Sequence, residues 1–178
     1  MAIVAVVVAV PVTLLARGDD SEPEPVAVTS APSGPELEKR RSDRGLRVAY
    51  RVPEGWRASK SDRTLRLRSR DGSALIAVAA PAGSGRAADV RRDLLDGIRS
   101  SYRRVEVERG EDREVGGIEA QTAVVSARQA DGGPLRILVA VADGDDRTYV
   151  VEVFTAASAK PQRLRQAQAA LNALRLRG

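Results

Sequence analysis

From Leu46 onward, apolar and polar positions alternate. Leu46, Val48 and Tyr50 fall on one side of the chain and Arg47, Ala49 and Arg51 on the other, the two-residue period of a half-buried strand. Pro53-Glu54-Gly55 predicts a turn that delivers Trp56. Leu65 and Leu67 then alternate with Arg66, Arg68 and Arg70, and Asp71-Gly72 follows at once as a hairpin signal. The returning run Ala74–Ala80 is apolar on both faces and predicts a central strand. After Pro81–Gly85 the period changes. Val90, Leu94, Ile98 and Tyr102 recur every four residues, with Leu95 beside them, and predict an amphipathic helix over about 86–102. Val105 and Val107 suggest a short strand. Runs 118–127, 135–142 and 149–154 predict three more, separated by turns at Asp131-Gly132-Gly133-Pro134 and Asp143-Gly144-Asp145-Asp146. Leu164, Ala167, Leu171 and Leu174, with Pro161 in the first turn, predict a closing helix packed on the sheet. The order β-β-β-α-β-β-β-β-α, joined largely by hairpins, predicts an α+β domain: a mostly antiparallel sheet covered by helices.

Before this domain the pattern is different. Residues 1–16 (MAIVAVVVAVPVTLLA) carry no charge. As a helix they would extend about 24 Å, against a hydrocarbon layer of about 30 Å. Pro11 within the segment is compatible with a bilayer span. The segment predicts a transmembrane anchor or signal. Leu14-Leu15-Ala16-Arg17 is a poor cleavage site, so a retained single-pass anchor is favoured over secretion after cleavage. No basic residue precedes it, which leads to the expectation that the native start lies upstream. Residues 17–45 are rich in Pro, Ser and Glu without apolar periodicity and predict a disordered spacer. Residues 46–178 form the expected globular domain.

Charge sharpens this division. Residues 17–45 carry five basic and seven acidic side chains, whereas 46–178 carry 24 basic and 17 acidic. Only Lys60 and Lys160 among the latter are lysines, so the basicity of the domain is almost all arginine. The chain has no Cys and no His. That removes zinc sites built from these ligands, disulfides, a lipid-modified Cys after the signal, and the usual Ser-His or Cys-His catalytic arrangements. No catalytic residues, cofactor or metal are therefore expected.

Candidate binding chemistry lies in arginine. If the strands around Leu46 and Leu65 face the same way, Arg47, Arg51, Arg66, Arg68 and Arg70 project from one face as an anion-binding strip able to grip phosphate or carboxylate. A solvated, edge-protecting face is the plainer reading. Asp143, Asp145 and Asp146 lack the spacing and closing Glu of a calcium loop and read as a hairpin turn. Ser84, before the predicted helix, lies in a loop without the Gly-Lys-Ser/Thr of a P-loop and reads as helix entry. Trp56 and Tyr50 read as core anchors.

Tyr50-x-x-Pro53-x-Gly55-Trp56 at the end of the first predicted strand resembles the opening of PsbP-like domains. Asp71-Gly72, the following helix, the turn Val115-Gly116-Gly117-Ile118-x-Ala120 and the closing helix agree in order over about 46–177. The resemblance implies the α/β/α sandwich shared by the extrinsic photosystem II protein and a small Ran-binding protein of eukaryotes. It implies binding, scaffolding or transport assistance rather than catalysis, and an exported lipoprotein or membrane-anchored member. The missing lipid-attachment Cys departs from the lipoprotein pattern. The functional expectation is a non-catalytic extracytoplasmic binding or scaffold module tethered to the membrane. The alternative is a carrier or chaperone for an apolar ligand or lipid in the cell envelope. Membrane lipid is the expected partner of the N-terminal segment, with an anionic envelope polymer or a protein as a second partner. No nucleic-acid partner is expected, and the oligomeric state stays open.

Overall fold

The computed structural model describes residues 34–61, 63–81 and 85–177. The expected anchor, most of the expected spacer and Ser84 lie outside them. In chain order the elements are β1 (Arg41–Asp43), β2 (Val48–Tyr50), β3 (Trp56–Ser61), β4 (Thr64–Ser69), β5 (Ala74–Ala79), α1 (Ala87–Ser101), β6 (Arg103–Arg109), β7 (Arg113–Val115), β8 (Ile118–Arg128), β9 (Pro134–Asp143), β10 (Thr148–Ala156), α2 (Pro161–Ala173) and β11 (Arg175–Leu176). One sheet has eight strands, in the order β3-β4-β5-β10-β9-β8-β6 with β7 also paired to β8. A second has three, β1-β2-β11. Every pairing is antiparallel.

The large sheet buries both faces. Leu65, Leu67, Ile76, Val78, Val151 and Val153 meet α2 through Ala167, Ala170, Leu171 and Leu174, together with Leu46, Val48 and Leu176 at the small sheet. The opposite face presents Leu75, Val125, Ile137, Val139, Val141 and Phe154 to Ala87, Leu94 and Ile98 of α1. β10 sits in the middle, paired on both edges, which is why its sequence is apolar at nearly every position.

Three expectations are corrected. The strand around Leu46 does not lead the large sheet. Arg47 adopts a left-handed φ of 53°, and its carbonyl accepts from Arg177 N–H, so regular strand begins only at Val48 and joins the small sheet. The large sheet is led instead by β3, an edge strand whose apolar residues are only Trp56 and Ala58. The spacer ends earlier than residue 45: Arg41–Asp43 pair with β2, and Leu37 bridges Pro53. Leu164 is 46% exposed rather than buried. The inward face of α2 is Gln166, Ala167, Ala170 and Leu171, because a polar contact takes the place the periodicity assigns to leucine.

That contact belongs to a chain of hydrogen bonds. Trp56 Nε1–H and Arg163 Nη1–H both donate to Gln166 Oε1, at 3.0 and 2.7 Å. Gln166 Nε2–H donates to the Glu54 carbonyl at 3.3 Å. Arg163 Nε–H reaches Asp71 at 2.9 Å. Asp71 also accepts from Ser69 Oγ–H, Ser73 Oγ–H and Ser73 N–H. The turn before Trp56, the Asp71-Gly72 hairpin and the closing helix are thus tied together.

Candidate functional site: an arginine face beside a buried carboxyl

The structure does not bring the five expected arginines onto one face, because they belong to two sheets. Arg47 lies in the turn before β2 and pairs with Asp146 at 2.8 Å. Arg51 follows β2 and donates to the carbonyls of Glu38 and Leu37 at 2.8 and 3.1 Å, clasping the segment before β1. Arg70 is exposed beyond the end of β4. Only Arg66 and Arg68 are side by side on a strand.

On β4, Leu65 and Leu67 enter the core under α2, so Arg66 and Arg68 project from the other face. That is the face α1 covers, but α1 packs on β9, β6 and β8. The part made by β3 and β4 lies to the side of the helix. The β3–β4 register places Arg57 directly opposite Arg68 and Ser59 opposite Arg66. Like charges directly opposite each other weaken a sheet. Among the described residues none of Arg57, Arg66 and Arg68 has a carboxylate within 4.0 Å. Arg57 was invisible to the sequence reading because β3 was not recognised as a strand.

The same face carries a second missed residue. Arg66 pairs with Ala77 of β5, Ala77 with Glu152 of β10, and Glu152 with Val139 of β9, so these four form one row across the sheet. At strand spacing, the Arg66 and Glu152 backbones lie about 10 Å apart with only an alanine between them. Glu152 is 5% exposed, and its carboxyl makes no hydrogen bond among the described residues. Burial pushes it up to about 7, against the pull of the Arg66 charge. Arg66 Nη1–H donates to Ser61 Oγ at 3.3 Å, while its Nε is buried without a partner. Tyr102, at the end of α1, is raised by its own burial and by Glu152. The signal was present in sequence: Glu152 is the one charged residue of β10, set in the otherwise apolar run Tyr149–Phe154.

Other candidates resolve into structural roles. Asp143 caps α1 by accepting from Ala87 N–H at 3.1 Å, and also accepts from Thr148 Oγ1–H at 2.9 Å. Asp146 is held by Arg47 and Arg147. Among the described residues no group of three or more acidic side chains is placed to hold a metal. A cleft of about 420 Å³ opens beside Gly45, Arg63, Pro81 and Arg147, and another of about 280 Å³ beside Arg113, Gln168, Asn172 and Arg175. Both are solvent-open and bordered by polar and charged groups.

No protein-family model matches the sequence, and neither does any curated protein. Solved structures do. The Ran-binding protein Mog1p of Saccharomyces cerevisiae superposes with a TM-score of 0.56 at 11% identity, over 80% of this chain and 96% of its own. The cyanobacterial PsbP (CyanoP) of Synechocystis sp. PCC 6803 gives 0.56 at 16% identity, over 86% and 99%. The domain has the PsbP/Mog1 fold. A third structure with the PsbP/Mog1 fold is LpqN, involved in cell envelope biogenesis of Mycobacterium tuberculosis. It matches with a TM-score of 0.52 at 16% identity, over 80% of this chain and 92% of its own. Within that fold, the Pro53-x-Gly55-Trp56 turn is a packing device: Trp56 is buried, and its indole is anchored on the closing helix. Among the described residues no helix is long and apolar enough to span a membrane.

Proposed function

We propose that the domain is a non-catalytic binding module of the cell envelope, tethered through residues 1–16 and engaging an anionic partner with Arg57, Arg66 and Arg68. The observation that carries this is the cross-strand opposition of Arg57 and Arg68 without an acidic counterpart among the described residues. A repulsion of this kind lowers stability, and a face that bears it is suited to receive negative charge. Among the described residues no cluster of three or more acidic side chains surrounds Glu152, and the sequence supplies neither His nor Cys to work with it, which favours binding over acid–base chemistry. The likeness to LpqN supports an envelope setting. The charged borders of both clefts favour a surface binder over a carrier of apolar ligands.

The test is binding of the full chain to anionic vesicles and to soluble anionic glycopolymers. Arg57→Glu combined with Arg68→Glu should weaken binding at least tenfold in whichever arm the native protein binds. Binding unchanged by this pair, or no binding in either arm, overturns the reading.

A further inference from the structure

Resting on the arginine face as an anion site, we propose that Arg66 and Glu152 together recognise the phosphate ester of a polyol, Arg66 holding a phosphate oxygen and Glu152 accepting a hydrogen bond from a neighbouring hydroxyl. Three arginines share the face, which suits the multiple charge and several acceptor oxygens of a phosphate better than a single carboxylate. Charge alone does not distinguish one phosphate from another. The floor of the face does.

Two polar groups there lack hydrogen-bond partners among the described residues: the buried Nε–H donor of Arg66, and the carboxyl of Glu152, a residue only 5% exposed whose carboxyl is shifted by burial and by the Arg66 charge and by no hydrogen bond. They lie in one row across the sheet, separated by the small side chain of Ala77. No nitrogen of Arg66 comes within 4.0 Å of a Glu152 oxygen, so they do not satisfy each other. A group bridging them must offer an acceptor on one side and a donor on the other. Bonds of about 2.8 Å to each end let a hydroxyl and an adjacent phosphate oxygen do this. Above the native value of about 7, where Glu152 is ionised and can only accept, a simple anion leaves it unmet; a simple alcohol leaves the arginines unmet. The cost of leaving a buried polar group unsatisfied makes such a site discriminate by the hydroxyl.

Such a group occurs on lipid headgroups and on free polyol phosphates, and paired ligands separate the two sources. Titration calorimetry would compare glycerol 1-phosphate with methyl phosphate. Vesicle co-sedimentation would compare phosphatidylglycerol with phosphatidylmethanol. The native chain should prefer the hydroxyl-bearing member about tenfold or more in one arm, and that arm identifies the source. Glu152→Met should erase the preference, so that the hydroxyl-bearing and hydroxyl-free members bind within about twofold of each other. Glu152→Leu replaces it if the methionine variant does not fold.

If phosphate binds and Arg57→Glu/Arg68→Glu abolishes binding, but no hydroxyl preference exists or it survives loss of Glu152, the inference falls and the anion reading stands. If neither member binds in either arm, both fall.

Discussion

The Trp56 indole N–H donates to the Gln166 side-chain oxygen at 3.0 Å, joining residues 110 positions apart in a buried contact. Gln166 also accepts from Arg163 and donates to the Glu54 carbonyl. A single carboxamide therefore satisfies the aromatic, the turn before it and the helix that closes the domain. Gln166→Leu keeps the volume and removes all three bonds, stranding the indole donor. Unfolding in urea should show a loss of about 2 kcal/mol, and a loss under about 0.5 kcal/mol would show the contact to be incidental.

Asp71 gathers four donors at the neighbouring hairpin. Its burial alone would raise the carboxyl, but hydrogen bonds from Ser69, Arg163 and Ser73 outweigh that and hold it well below the ordinary aspartate range. A depressed native value contributes stability above the unfolded value of 3.8, and that stability disappears as pH falls through the lower native value. The side chain is 40% exposed, so solvent screening reduces the effect. Asp71→Asn should cost about 1 kcal/mol at neutral pH. It should also flatten the acid limb of a melting-temperature profile; an unchanged limb would count against this assignment.

Glu152 slopes the other way. Its native value of about 7 lies above the 4.5 of the free side chain, so between them the native state binds more protons than the unfolded chain. Stability should therefore decline as pH rises from about 4.5 to about 7 and level off above, a total of about 3 kcal/mol. Glu152→Gln should remove this decline and raise the melting temperature at pH 8. A variant that keeps the native slope would assign the titration to another group.

Gly116 and Gly117 sit together before β8 with positive φ, 68° and 93°, but in unlike surroundings. A Cβ at Gly116 would lie 2.6 Å from Leu176 Cγ and 3.0 Å from its backbone N, whereas one at Gly117 would meet nothing within 4 Å. Gly117→Ala should cost about 1 kcal/mol, the strain of a left-handed alanine. Gly116→Ala adds a collision with β11 and should cost about 3 kcal/mol. Equal losses on thermal unfolding would contradict the packing of β11 against this turn.

Arg68→Glu turns the Arg57–Arg68 repulsion into an attraction. It should stabilise the domain by about 0.5 kcal/mol while weakening anion binding, so that melting temperature and affinity move in opposite directions. A variant that is both less stable and still fully able to bind would remove the functional explanation for the like-charged pair.

The sequence was most legible where one face of an element decides its pattern. The helix expected over 86–102 is α1, Ala87–Ser101, and the strands expected at 118–127, 135–142 and 149–154 are β8, β9 and β10. β3 was missed because an edge strand with Trp56 and Ala58 as its apolar residues leaves little alternation to read. β1 and β11 are three and two residues long, too short for any period. Leu164 shows how tertiary demand overrides periodicity: a buried tryptophan needs an acceptor, so Gln166 faces inward and the leucine turns out. For the site, Arg66 and Arg68 were visible on one strand. Their opposition to Arg57 and their alignment with Glu152 are matters of register between strands, which a single strand's pattern does not encode.

The small sheet has a topological consequence. β1 and β11 flank β2 on its two edges, with Ser42 and Arg175 both opposite Ala49, so the first and last strands are neighbours about 10 Å apart. In connectivity the fold is close to a ring. A short linker from Arg177 to Arg41, with new ends cut at the exposed Asp131-Gly132 turn, should yield a circular permutant that keeps both sheets.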